Sequence, residues 1–286
     1  MNAAVSLGVA LTVFSQMFAL GLGLRLEALG QWCARPALPL RVLLGSTLLV
    51  PLLGLLLLQM PWSWSIARPE RVAIALMALC PSAPLALRKA RKAGGDYQLA
   101  ALVQVGSALV AIVSVPLLGL LFRRIFGVEG WQVRPMEVAL QVGQVQVLPL
   151  LLAVALRRWR PDLADRFEPP LNRLANVLLL LLVLVLLLRT GPLLWLALPR
   201  VGDALLCMVL LAGGSLLIGR LMAGQGSSHG GTAALVTAMR NPGLALLFAS
   251  RHGQGLPGLK LAIVAHVLVT LVVSLPLMRR RRLDLP

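Results

Sequence analysis

The side chains able to do chemistry in this sequence gather in two short stretches. Met239-Arg240-Asn241-Pro242-Gly243 puts a guanidinium, an amide and a proline–glycine pair inside an otherwise apolar run. Cys80-Pro81-Ser82-Ala83-Pro84 puts a thiol, a hydroxyl and two prolines inside another. Proline lacks a backbone N–H and its ring clashes with the preceding turn, so both runs are predicted to break as helices at Pro81, Pro84, Pro242 and Gly243. A guanidinium stays charged and offers five donors, and an amide both donates and accepts. This equipment suits holding an anion or tying off the loose ends of a broken helix. His266, in the last apolar run, is the one obvious proton carrier, or equally a histidine packed between helices. No Ser-His-Asp set, paired aspartates or His-Glu-x-x-His falls in an apolar run, so no enzyme chemistry is expected. Cys33, Cys80 and Cys207 show neither disulfide nor metal-ligand spacing, and no cofactor is implied.

The elements that position these residues must be membrane helices. Of 286 residues, 58% are hydrophobic and only 13% charged, about half the charge of a soluble domain. A helix needs roughly 20 apolar residues to cross a bilayer, and that ruler gives about nine runs. They fall near 3–24, 39–60, 71–87, 97–122, 136–156, 172–188, 201–223, 229–250 and 256–278. The apolar stretch from Pro192 to Pro199 is too short to cross and is expected at an interface. All ten carboxylates lie in loops or at run edges, so Arg240 has no acidic partner at depth. The net charge of +17 would suggest nucleic acid, but the basic residues sit between apolar runs, where they fix topology. Most of them, including Arg88–Lys92, Arg157–Arg173 and Arg279–Arg282, fall on one side if the N-terminus is outside. The expectation is a multi-pass bacterial inner-membrane protein with its C-terminus in the cytoplasm and the bilayer, not nucleic acid, as partner. Oligomeric state is left open. A pair of interrupted spans, one in each half, is the mark of a transporter site at a repeat interface.

At these residues the chain resembles the bile acid:sodium symporter family. Phe18-Ala19-Leu20-Gly21-Leu22-Gly23-Leu24 is similar to its glycine-rich early span. Cys80-Pro81 followed by Gly95-Asp96 resembles its first crossing segment, and Met239 to Ala245 its second. His266 falls where the family carries a histidine in the last span. The resemblance implies an all-α fold of inverted repeats with two discontinuous, crossing helices in a single transmembrane domain over 1–286. The panel would be the spans near 3–24, 136–156 and 172–188. The core would be those near 39–60, 71–95, 97–122, 201–223, 229–250 and 256–278. The substrate would be a small organic anion, with Arg240, Asn241, His266 and Ser82 as its contacts.

The same comparison removes the family's sodium ligands. Hard cations want oxygen donors, usually with some negative charge. The matching positions hold Ala86, Leu87, Ala100 and Val236, with Ser46 and Gln104 as remnants and Arg240 in place of an amide. Sodium coupling of the family type is therefore not expected. Arg240 reads as a tethered cation or as a plug for helix C-terminal carbonyls. Asn241 reads as a ligand contact or as satisfaction of the break. Gln141, Gln144 and Gln146 could face a wet cavity or bond between helices, and Arg88–Lys92 could funnel anions or simply end the span. Two functions stay open: a secondary carrier without sodium coupling, and a non-transporting sensor or assembly protein that keeps the fold.

Overall fold

In the computed structural model the described residues are 3–24, 30, 36–83, 86–87, 90, 95–126, 135–197, 202–224, 227–253 and 255–283. They are helical, with no named strand among them. The helices are α1 (Ala3–Gly23), α2 (Ala37–Leu44), α3 (Val50–Gln59), α4 (Arg68–Leu79), α5 (Tyr97–Phe126), α6 (Pro135–Val142), α7 (Leu148–Trp159), α8 (Pro161–Ala197), α9 (Gly202–Ala223), α10 (Gly230–Ala238), α11 (Pro242–His252) and α12 (Leu259–Leu283).

Five stretches of these residues are long and apolar enough to cross a membrane: Ala37–Gln59, Tyr97–Phe122, Ala139–Trp159, Gly202–Ala223 and Leu259–Leu277. Their surfaces are built for lipid. On α9 the large side chains Leu206, Leu210, Leu217 and Leu221 are exposed, while Ala204, Cys207, Ala212, Ser215 and Gly219 are buried. Small residues let neighbouring helices approach, and dispersion rather than the hydrophobic effect holds such helices together. Gly219 shows the closeness: a Cβ there would lie 2.7 Å from Ala234 Cα on α10.

Two spans contain a π-helical turn, Gly45–Leu49 between α2 and α3 and Gly143–Val147 between α6 and α7. Pro51 and Pro149 follow directly. Neither can donate to the carbonyl four residues back, so the ladder widens by one residue there. The widened turns carry buried polar side chains, Ser46 on the first and Gln146 on the second.

The residues from Pro192 to Ala197, expected at an interface, are the end of the helix that holds the sixth run. α8 continues from Pro161 to Ala197 as one helix of 37 residues, about 55 Å long. A proline costs one ladder bond, which a helix this long absorbs by continuing on both sides.

The two ends of the molecule can be told apart by their polar contacts. At one end Ser65 bonds Asp203, and Arg71 donates to the carbonyls of Leu58 and Ser63. At the other, Arg157 donates to the Leu24 carbonyl and pairs with Asp165 at 2.8 Å, and Asp96 caps α5 through Oδ1, which accepts from Leu99 N–H at 3.0 Å, while its Oδ2 lies 3.5 Å from His229 Nδ1. Exposed Trp64 and Trp159 mark these ends, as aromatic residues do at bilayer interfaces. α9 runs between them; its 22 residues cover about 33 Å, close to a hydrocarbon core of roughly 30 Å.

Candidate functional site

Both predicted breaks are present. α4 ends at Leu79, and Cys80 turns extended with ψ 142°. α10 ends at Ala238, Met239 and Asn241 are extended, and α11 begins at Pro242. Counting turns, the break lies ~18 Å from the α4 start and ~14 Å from the α10 start.

The two extended segments pair. Ser82 and Arg240 form an antiparallel β-bridge. Ala83 N–H donates to the Met239 carbonyl at 2.7 Å and Asn241 N–H to the Pro81 carbonyl at 2.8 Å. Four backbone groups that a broken helix would leave bare in lipid are thus satisfied by the other broken helix. Pro84 lies outside the described residues.

The Arg240 side chain, 4% exposed, closes the remaining ends. Its Nε donates to the Met77 carbonyl at 3.3 Å and Nη2 to the Ala78 carbonyl at 2.8 Å. Nη1 donates to Ser46 Oγ at 2.8 Å and to the Thr237 carbonyl at 3.3 Å. Met77 and Ala78 belong to the last turn of α4 and Thr237 to the last turn of α10, where carbonyls have no partner within their own helix. Ser46 reaches in from the first π-turn. Gly54 lets α3 lie against that α4 turn, since a Cβ there would meet the Ala78 Cβ at 2.6 Å. Arg240 forms no ion pair among the described residues.

Asn241 caps α11: its Oδ1 accepts from Leu244 N–H at 3.2 Å. Its Nδ2 is buried and has no partner among the described residues, and the same holds for Ser82 Oγ. Pro242 and Gly243, the first turn of α11, form part of the wall of a cavity with about 380 Å³ of empty space, counting the part open to its surroundings. The other wall residues are apolar, chiefly Leu179 and Leu182 from α8 and Ile263, Val267 and Leu268 from α12. The first turn of an eleven-residue helix, though neither Asn241 nor Ser82, thus borders an apolar space.

His266 is buried on α12 and within electrostatic reach of Arg240, with Nδ1 unpartnered among the described residues. It does not line the cavity. Gln104 on α5 is buried with both amide atoms unpartnered, and so are Gln141 and Gln146. The structure thus brings Arg240, Asn241, Ser82, Pro81, Pro242, Gly243 and Ser46 together. Sequence reasoning missed the parts played by the Met77, Ala78 and Thr237 carbonyls, and the cavity wall on α8. Only the glycine–polar–proline pattern of the π-turns was there to be read.

Residues 10–195 match the Sodium Bile acid symporter family, well over half of the chain. The chain belongs to this family. Membership makes it a membrane protein of the bile acid:sodium symporter type of transporter. The match ends before α9, so within the family region lies the α4 break but not the α10–α11 break, which rests on the structure. Comparison with curated proteins gives no match. The family name implies sodium, and four positions that the resemblance assigns to its ligands carry no side-chain oxygen here. Ala86, Leu87, Ala100 and Val236 are buried apolar side chains that offer no oxygen. At the crossing the Met77, Ala78 and Thr237 carbonyls and Ser46 Oγ already accept from Arg240, while Ser82 Oγ and Thr237 Oγ1 have no partner among the described residues. Among the described residues no cluster of three His, Cys, Asp or Glu side chains could hold a metal ion.

Proposed function

We propose that the protein is a secondary carrier, not an enzyme, that moves a small organic anion across a bacterial inner membrane without sodium coupling. In this reading the chain crosses nine times as two inverted repeats, N-terminus outside, with α4 and α10–α11 as the discontinuous spans. α1, α6–α7 and α8 form the panel, and the other helices the core that moves against it. The anion's charged end lies at the N-terminus of α11, where Asn241 Nδ2 and Ser82 Oγ donate to it, and its apolar body fills the space walled by α8 and α12. Arg240 and His266 act on it from behind the crossing.

The observation that carries the proposal is the unpartnered, buried Nδ2 of Asn241 at a helix N-terminus whose first turn walls an apolar cavity. Buried polar atoms are nearly always bonded, and a helix N-terminus favours an anion. A non-transporting sensor that keeps the fold is the second reading, favoured by the loss of oxygen ligands at Ala86, Leu87, Ala100 and Val236. Uptake of labelled organic anions by the purified protein in liposomes, under imposed sodium, proton and potential gradients, separates the two. The carrier gives saturable uptake that is indifferent to sodium. Absence of uptake of every anion under every gradient, by protein that remains folded, leaves the sensor.

A further inference from the structure

The crossing presents a shell of oxygens with no carboxylate in it. The carbonyls of Met77, Ala78 and Thr237 and the hydroxyl of Ser46 converge from α4, α10 and the first π-turn on one point. Thr237 Oγ1, also buried, has no partner among the described residues. Two helix C-termini, α4 and α10, end at this point. Each carries about half a negative elementary charge, so together they call for about one positive charge in a place that water does not reach. Backbone carbonyls are oxygens that can replace the hydration shell of a monovalent cation when it leaves water. Here the demand is met by a guanidinium on the chain itself.

We propose that the Arg240 guanidinium is the resident cation of the crossing, and that the shell around it is a monovalent-cation site which, emptied of that side chain, accepts a free cation such as guanidinium or sodium. The division of labour follows from the helix ends. The negative ends are closed by Arg240, and the first turn of α11 is left bordering the cavity. Four of the five guanidinium donors are spent on the shell, so Arg240 is a positioning residue that fixes the two broken helices against each other. The paired segments Pro81–Ala83 and Met239–Asn241 then keep their register in every ionic condition. A chain with its cation built in has no empty state to wait for. Its consequence for transport, independence from an ion gradient, rests on the carrier reading; the structural claim does not.

The test is therefore read on stability. Full-length protein in detergent is melted at constant ionic strength in choline, sodium and guanidinium chlorides, the last at concentrations below those that denature. The wild-type Tm is expected to be the same in choline and sodium. R240A, which vacates the shell, should melt roughly 6 °C or more lower in choline and recover at least half of that loss in guanidinium or sodium. R240M, which fills the space with an apolar side chain, should melt low and recover in neither. A saturable rise of the wild-type Tm with sodium overturns the proposal, as does an R240A variant as stable as wild type in choline, or one whose cation response equals that of R240M. Should R240A fail to fold, S46A decides. Loss of one shell oxygen lowers its Tm by a few degrees, and an S46A Tm equal to wild type overturns the proposal. Failure of anion uptake leaves all these outcomes unchanged, so the two ideas fail separately.

Discussion

Asn241 does two jobs with two different atoms, and a pair of substitutions separates them. Oδ1 caps α11 through Leu244 N–H, while Nδ2 points a donor with no protein partner among the described residues. N241A removes both. Loss of an N-cap costs about 1 kcal/mol, with a range of roughly 0.5–2, and in a chain of this size each kcal/mol is worth about 2–4 °C of Tm. N241S keeps a capping oxygen and deletes the amide donor, so its Tm should stay within about 1 °C of wild type. A hydrogen bond to a charged partner contributes about 1.5–3 kcal/mol. At 1.4 kcal/mol per factor of ten, both variants should raise the half-saturating anion concentration about tenfold to a hundredfold. The assay is thermal melting beside concentration-dependent uptake in liposomes. An N241S variant that melts as low as N241A, or that takes up anion with unchanged half-saturation, refutes the assignment of separate jobs.

Further outcomes follow from the packing around the site. L182W fills the cavity from α8 and should abolish or sharply weaken uptake while leaving the Tm unchanged, since Leu182 is only half-buried; uptake at the wild-type level would place the anion elsewhere. G219A puts a methyl group against the α10 backbone beside Ala234. Overpacking of this kind costs about 1–3 kcal/mol, so its Tm should fall by several degrees, whereas G213A, with open space at its Cβ, should melt like wild type.

The breaks were legible because proline announces itself. Pro81 and Pro242 lack the N–H that a continuing helix needs, and no neighbour can hide that. The buried cation was equally plain, since Arg240 stands alone in an apolar run. Its partners were not legible, because three of the four are main-chain carbonyls, which any residue would supply; nothing about Met77, Ala78 or Thr237 as side chains foretells them. The cavity was hidden for a related reason. Leu179, which walls it, and Leu180, which faces outward, are the same residue in the same leucine run. A proline within a long span removes one bond, whereas at Pro81 a second extended segment stands ready to take the freed groups.

In the proposed mechanism an anion is carried past a crossing whose cation is part of the chain. Solute counterflow tests this most directly. Liposomes containing the protein are loaded with an unlabelled organic anion and diluted into a trace of the labelled one, with choline replacing sodium throughout. A transient overshoot of labelled anion inside is expected, unchanged when sodium is restored. A flat trace in choline that becomes an overshoot only with sodium would contradict it.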